Sequence, residues 1–381
     1  MTDIKELSKN NYDFAIVGSN LHALILAYTL SRNYHKKVAI LEPQDFIGGN
    51  DAPVTIGEKK IMSHFTMVNS TAETIETLNW LAQILDQELF NEPLEITPLC
   101  IDSGKLIPFV GFGDRKFSTI EVLKSYTQNL NLNLNQWPSQ WLEQLSSLFI
   151  GDVYTLAEIT SIEIENDKIK QTIVNGSREL FADNIVFCLP PKQLKKVVGL
   201  ELASHKSMQK ILKNKSFTRI RMHLVTDKGF EVEQWPFHIL YGSKEDNEPV
   251  VGQFLTVNEE LHSLWSCWTL TELIDDHEHL GNLIKHIKKQ IKRAYPEFFD
   301  HVTMEKIVVE VDSEGVGKQT DFLSETFAKI PGLWLCHPQL IENTGVIGKI
   351  QAAKLSCEAL KSQLSLTHQE YVIAENSPPP L

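Results

Sequence analysis

The stretch YDFAIVGSNLHALILAYTL, residues 12–30, decides the fold of this chain. A short apolar run, FAIV (14–17), leads into Gly18 and is typical of a buried parallel strand. The residues that follow, 21–33, have the length and apolar density of a helix packed on a sheet. The turn between them begins like the dinucleotide-binding fingerprint G-x-G-x-x-G/A, but Asn20 stands where the second glycine is expected.

The sequence after this turn completes a strand–helix–strand unit. KVAILE (37–42) reads as the second strand and ends in Glu42, 24 residues after the first glycine. In dinucleotide-binding folds an acidic residue near this place accepts a hydrogen bond from a ribose hydroxyl. The pair Gly48-Gly49 follows in a loop. The N-terminal region is therefore predicted to be a Rossmann-like α/β unit.

Composition limits the classes of partner. The chain has 381 residues, which fits two domains, with 36 basic and 49 acidic residues and a formal charge of -13. This charge argues against nucleic acid or an anionic lipid surface as the main partner. No run approaches 18 apolar residues, so no membrane span is expected. A polar N-terminus and five scattered cysteines indicate reduced thiols in a cytoplasmic protein.

Two long amphipathic helices are predicted outside the first unit. In the first, over 70–90, Ser70 and Glu73 have the spacing of a capping box. The second runs from about 278 to 295 and ends at Pro296. The histidines in and before the second helix have no i, i+4 pair on one face, so no metal site is predicted.

Three separated segments together resemble one family, the flavin-containing amine oxidases with their protoporphyrinogen oxidase and phytoene desaturase relatives. The first is 12–50, with the turn, the acidic strand end and the glycine pair. The second is 153–199, where short strands precede a strand that ends in proline. The third is 306–361, a strand, a glycine-bearing loop and a helix.

The resemblance implies an α/β fold in which a substrate domain is inserted into a nucleotide domain. The implied parts are a discontinuous Rossmann-like FAD-binding domain at 1–60, 151–200 and 306–362, an α+β substrate domain at 61–150 and 201–305, and a flexible tail at 363–381.

The resemblance also implies where FAD would bind. A free helix N-terminus after Gly18 suits a pyrophosphate, and either Lys306 or Lys318 could face the flavin. The implied cofactor-binding residues are Gly18, Ser19, Asn20, Leu21, Ala23, Glu42, Gly48, Gly49, Val153, Gly345 and Val346. No catalytic residue can be named.

Three departures from the family weaken the predicted FAD site. Asn20 places a side chain where glycine lets the phosphate approach. His337-Pro338 stands where the family has Gly-Asp, and Asn50 follows the glycine pair where amine oxidases have arginine. FAD is therefore predicted to bind weakly or not at all.

Three functions remain open, two of them the main candidates. One is an FAD-dependent oxidoreductase of the amine oxidase type, which moves a hydride from a C–N or C–C bond of a small organic substrate to flavin. The alternative is a binding or accessory protein with a vestigial dinucleotide site and a protein partner, as in the GDP-dissociation inhibitors. A nicotinamide-only dehydrogenase is a third, minor reading. No motif identifies the substrate, the electron acceptor or the oligomeric state.

Overall fold

The computed structural model describes residues 2–232, 236–242, 248–316 and 320–365. The helices of these residues are α1 (Leu21–Tyr28), α2 (Ala72–Leu85), α3 (Ile120–Leu123), α4 (Pro138–Leu148), α5 (Pro191–Val197), α6 (Leu200–Ser204), α7 (Lys206–Lys213), α8 (His277–Ala294), α9 (Asp321–Ser324) and α10 (Gly345–Gln363). The strands are β1 (Asn11–Val17), β2 (Val38–Glu42), β3 (Val54–Ile56), β4 (Lys59–Ile61), β5 (Met67–Asn69), β6 (Leu94–Glu95), β7 (Leu99–Asp102), β8 (Lys105–Pro108), β9 (Leu130–Asn133), β10 (Asp152–Thr155), β11 (Ile159–Glu165), β12 (Lys168–Val174), β13 (Arg178–Glu179), β14 (Phe181–Phe187), β15 (Lys215–Thr226), β16 (His238–Leu240), β17 (Val250–Val257), β18 (Glu260–Leu270), β19 (Val302–Val316) and β20 (Leu333–Leu335).

A five-stranded parallel sheet, ordered β10-β2-β1-β14-β20, is the centre of the Rossmann-like half. Ile16 of β1 pairs with Ile40 on one side and with Val186 on the other, and all three side chains are buried. Parallel strands covered on both faces carry continuous apolar runs, which is why FAIV and VAIL read as strands in the sequence. The predicted α/β class and strand–helix–strand unit are confirmed.

Helix α1 is buried from Leu21 to Ala27 and packs against α10 and α4. It ends earlier than the apolar pattern suggested, because residues 29–33 continue as one π-helical turn. The C-terminal helix therefore returns to the N-terminal one, as the resemblance implied.

A seven-stranded, mostly antiparallel sheet ordered β19-β15-β18-β17-β16-β7-β8 forms the second half. The segment 306–362, assigned above to the nucleotide domain, starts inside β19, which pairs with β15 along nearly its whole length. The chain rejoins the parallel sheet only at β20. Helix α8 covers this antiparallel sheet with the apolar face that contains Leu283, Ile287 and Ile291.

The predicted capping box at the start of α2 is wrong. Thr71 is the N-cap, and its hydroxyl accepts a hydrogen bond from the Thr74 N–H at 3.1 Å. Ser70 lies outside the helix and donates its N–H to the Leu130 carbonyl. Glu73 instead bonds to Asn343 and Gln351, so a tertiary contact replaces the local cap.

The remaining features follow the sequence in outline. All five cysteines are free and buried. No helix in the described part of the chain is long and apolar enough to cross a membrane. Of the predicted tail, Gln363 still belongs to α10, and everything from residue 366 onward lies outside the described residues.

Candidate functional site

The turn between β1 and α1 requires glycine at its first position. Gly18 has a φ of +102°, in the left-handed region that glycine adopts without strain. A Cβ at Gly18 would also stand 2.9 Å from Cδ2 of Leu189, closer than carbon atoms pack. The first glycine of the fingerprint therefore has a role in the fold whether or not a ligand binds.

Asn20 is the N-cap of α1. Its φ of -64° and ψ of 174° are extended, so the turn needs no left-handed residue at this position. The side-chain Oδ1 accepts the Ala23 N–H at 3.3 Å, and Nδ2 donates to the Cys188 carbonyl at 3.1 Å. Asparagine is among the best N-cap residues because its oxygen satisfies a free N–H of the first turn. The residue that breaks the fingerprint thus stabilises the helix.

A carboxylate from elsewhere in the chain lies at the same helix end. Asp51, two residues after the glycine pair, accepts the Leu21 N–H with its Oδ2 at 2.9 Å. The positive end of a helix dipole favours an anion at this place. Two of the first three N–H groups of α1, those of Leu21 and Ala23, are therefore hydrogen-bonded to side-chain oxygens of the protein itself.

Asp51 is also half of a buried ion pair. Its Oδ1 contacts Lys349 Nζ of α10, and His64 Nε2 lies 3.5 Å away. The side chain of Asp51 is 1% exposed and that of Lys349 is 16% exposed. Burial alone would raise the pKa of Asp51, but the Lys349 ammonium and His64 hold it well below its usual range. Burial lowers the pKa of Lys349, but its attraction to Asp51, Glu310 and Glu314 together outweighs burial, so the pKa is raised. The pair is charged at neutral pH.

Glu42 lies at the end of β2 with its carboxylate already hydrogen-bonded. It accepts the Ser19 hydroxyl at 2.5 Å and the Gln44 N–H at 2.9 Å. Ser19 Oγ in turn accepts the Gly48 N–H at 2.8 Å, so the carboxylate ties the first turn to the glycine loop. Glu42 is 3% exposed, and burial raises its pKa despite these hydrogen bonds. Glu42 still borders an open cleft.

This cleft, of about 290 Å³, runs along the C-terminal ends of β1, β2 and β14. Its polar lining includes Asn20, Glu42, Asp51, Asp312, His337 and Lys349. His337 packs edge-on against His22, with ring centroids 5.3 Å apart, and its Nδ1 accepts the Gln339 N–H. Burial lowers the pKa of both imidazoles, that of His22 to about 4, so both are neutral at pH 7.

A second polar cluster joins the two halves of the molecule. Arg221 of β15 pairs with Glu310 of β19 at 2.8 Å, and its guanidinium also donates to the carbonyl oxygens of Asn50 and Ser63. Arg219, two positions earlier, lies 3.9 Å from Glu310 and is 6% exposed. Sequence reasoning missed this cluster. The available signal was the alternation of charged and apolar residues in FTRIRMHLV (217–225), which is unusual for a strand buried on both faces.

Comparison with known proteins was informative only at the level of structure. No family model and no curated protein sequence matches the chain. An oxidoreductase from Methanosarcina mazei superposes with a TM-score of 0.66 at 12% identity, over 91% of this chain and 99% of the other. Cyclohexylamine oxidase from Brevibacterium oxydans gives 0.65 at 12% identity, over 93% and 100%. Putrescine oxidase gives 0.59 at 11% identity, over 93% and 99%.

The chain has the amine oxidase fold. It combines a Rossmann-like domain with a further domain over nearly the whole length of these neighbours. At this level of identity the likeness shows the fold alone. Whether a cofactor fits depends on the residues that this chain has at the site.

The predicted cofactor residues fall into three groups. One group converges at the start of α1: Gly18, Ser19, Asn20, Leu21, Ala23, Glu42, Gly48 and Gly49. Val153 lies apart on β10, paired with Ile40 and half-buried. Gly345 and Val346 open α10 and line a different, smaller cavity. Of the two candidate lysines, Lys306 donates to the Thr55 carbonyl, and Lys318 lies outside the described residues.

The residues at α1 do not fit the pyrophosphate of FAD. A phosphate at this helix end needs free N–H groups and no competing negative charge. Asp51 supplies that charge itself, with Lys349 of α10 as its counter-ion, and Asn20 caps the Ala23 N–H. Among the described residues, no group of three or more His, Cys, Asp or Glu side chains could hold a metal ion.

Proposed function

We propose that this chain is a flavin-free binding protein built on the amine oxidase fold, with a dinucleotide site filled by its own side chains. The observation that carries the proposal is the Asp51 carboxylate on the Leu21 N–H, with Lys349 as its counter-ion. A carboxylate at a helix N-terminus makes the same kind of contact as a phosphate, so the Leu21 N–H is satisfied without a ligand.

The energetics support the same reading. A pyrophosphate could contact Leu21 only if the Asp51 carboxylate moved away from both the Leu21 N–H and Lys349. Removing one partner from a buried ion pair costs about 3–5 kcal/mol, and here that figure is an upper bound because the incoming anion would itself pair with Lys349. The cost would weaken ligand binding by a factor of at most roughly 10² to 10³. FAD would have to recover it through other contacts, and the departures at Asn20 and Pro338 remove contacts of that kind.

A second candidate is an FAD-dependent oxidoreductase of the amine oxidase type. It is favoured by Glu42, which borders the open cleft beside the retained Gly18 turn, and by the fold shared with characterised oxidases. In such an enzyme the flavin supplies the redox chemistry by accepting a hydride from a C–N or C–C bond of a small organic substrate. The Asp51–Lys349 pair argues against it.

The absorption spectrum of the full-length protein separates the two candidates. We expect no flavin absorbance near 450 nm after purification from cells supplied with riboflavin, and no stoichiometric uptake when FAD is added. Asp51→Ala should bind FAD at least as well as the wild type, because it removes the competing carboxylate. Asp312→Ala, at the same cleft but away from α1, serves as the matched control. Stoichiometric FAD in the wild-type protein would support the oxidoreductase instead.

A further inference from the structure

A small cavity lies between the first turn of α10 and strand β15. It measures about 40 Å³ and shares no lining residue with the cleft at α1. One water needs about 10–15 Å³, so the cavity accepts a molecule of a few heavy atoms. Its walls are mainly apolar and include Phe65, Met67, Val68, Val346 and Ile347. One charged side chain, Arg219, also lines it.

Arg219 is buried with part of its hydrogen-bonding capacity unused. Its Nε donates to Ser266 Oγ at 3.0 Å, but Nη2 is buried and has no partner. Glu310, the nearest carboxylate, is 3.9 Å from Nη1 and makes its close contact with Arg221. The guanidinium is otherwise flanked by the aromatic rings of Phe65 and Trp268. A buried guanidinium without a close counter-ion is costly unless an anion completes the site.

The N-terminus of α10 lines the same cavity. Thr344 makes no side-chain cap, and the first helical hydrogen bond joins the Gly348 N–H to the Thr344 carbonyl. The N–H groups of Val346 and Ile347 therefore precede the helical ladder, in a helix of 19 residues. Glu314 accepts only the Gly345 N–H, at 3.2 Å. The free donors and the helix dipole favour negative charge on the side where Arg219 lies.

We propose that this cavity binds a small organic monocarboxylate, held between the Arg219 guanidinium and the first turn of α10. A single incompletely paired cation matches one negative charge, and a guanidinium binds a carboxylate through two parallel hydrogen bonds. The apolar walls accommodate a short hydrocarbon tail, which an inorganic anion lacks. The assignment rests on the proposed flavin-free function, to which it adds the class of ligand.

Glu314, which accepts the Gly345 N–H, is an acidic side chain near the α10 end of this cavity. Burial raises its pKa, although Lys349, Arg219 and the Gly345 N–H each lower it, and Glu310 raises it further. Glu314 itself does not line the cavity, and Glu310 makes its close contact with Arg221. The charged side chain that does line it, Arg219, therefore attracts one negative charge.

Calorimetric titration of the full chain with sodium butyrate tests the proposal. We expect one-to-one binding and a higher melting temperature in saturating butyrate, with weaker or no binding of phosphate and chloride. Arg219→Gln should weaken butyrate binding ten- to a hundredfold, as loss of a charge-assisted pair does. Val346→Phe, which fills the cavity and keeps the arginine, should weaken it as well. Arg115→Gln should not, because Arg115 lies against Tyr241 in another part of the molecule.

Three results would overturn the proposal: no butyrate binding to the wild type, equal binding by Arg219→Gln, or tighter binding of phosphate than of butyrate. If Arg219→Gln does not fold, equal butyrate binding by Val346→Phe and the wild type is sufficient to reject it. Failure of the proposed function has a separate signature, stoichiometric flavin in the purified protein. If the protein is flavin-free and does not bind butyrate, the carboxylate site is contradicted but the proposed flavin-free function is not.

Discussion

Lys349 and Asp51 are separated by 298 positions in the chain, yet their side chains form a buried ion pair at the N-terminus of α1. The pair connects the glycine loop after β2 to the C-terminal helix. Because Asp51 also accepts the Leu21 N–H, one carboxylate joins three parts of the chain at the point where a dinucleotide fold otherwise receives phosphate.

The ion pair should make a large contribution to stability. Asp51→Asn leaves the Lys349 ammonium buried without a counter-ion, and we expect the unfolding free energy to fall by about 3–5 kcal/mol. Urea denaturation measures it. In the double variant Asp51→Asn, Lys349→Met the loss should be clearly smaller than the sum of the two single losses. Glu259→Gln, in the exposed pair with Lys228, is the control and should change little. Strict additivity would show that the two side chains are not coupled.

Asn20 should act as a helix cap. Asn20→Ala removes the oxygen that accepts the Ala23 N–H, and we expect a loss of about 1 kcal/mol in unfolding free energy. Asn20→Ser should retain most of the stability, because a serine hydroxyl can accept a hydrogen bond from the same Ala23 N–H. If Asn20→Ala proves neutral in denaturation while Asn20→Gly gains measurable FAD affinity, then the residue obstructs a working phosphate site instead.

Glu42 should stabilise the protein in the absence of any cofactor. Glu42→Ala leaves the Ser19 hydroxyl and the Gln44 N–H without their acceptor, and we expect a loss of about 1–3 kcal/mol in flavin-free protein. Glu42→Gln keeps one acceptor oxygen and should lose less. A variant with an unchanged melting temperature but sharply lower flavin content would instead assign Glu42 to a ribose.

The buried histidines should make stability depend on pH below neutrality. Burial lowers the pKa of His22 and of His64 to about 4 each in the folded protein. The unfolded chain, with a pKa near 6.5, therefore binds these protons first. Stability is complete above about pH 6.5 and is lost as the pH falls toward 4, by at most about 3 kcal/mol for each histidine.

Urea midpoints measured from pH 7.5 to pH 4.5 test this dependence. His22→Gln should reduce the slope, since glutamine does not titrate. The exposed His277, substituted in the same way, controls for the loss of an imidazole. An unchanged slope in His22→Gln would mean that other groups cause the acid sensitivity.

Much of the fold could be predicted because its signals are local. The apolar runs of β1 and β2 and the glycine between β1 and α1 fall within residues 11–42, and a parallel strand pair with its helix follows from them. The start of α2 could not be predicted in detail, because Glu73 binds Asn343 and Gln351 instead of its own helix. Tertiary contacts of this kind leave no periodic pattern in the sequence.

The candidate site was predictable only in part for the same reason. Asn20 and Pro338 were recognisable as departures because each falls in a short motif. Asp51 and Lys349 belong to no motif, and their contact depends on how two distant segments pack. Arg219 lies in a stretch whose alternation of charged and apolar residues is a local signal, but the sequence does not show that Glu310 makes its close contact with Arg221 and leaves Arg219 incompletely paired.

The strand order β10-β2-β1-β14-β20 has a consequence for biosynthesis. The first strand leaves the ribosome with residues 11–17, whereas the edge strand β20 appears only with residues 333–335. From the synthesis of β14, complete at residue 187, until β20 begins at residue 333, the apolar edge of β14 therefore lacks its neighbour. Unpaired strand edges are the surfaces through which nascent chains aggregate. The newly made protein thus depends on late closure by its C-terminal segment, and a premature stop codon before β20 would yield a product prone to aggregation and degradation.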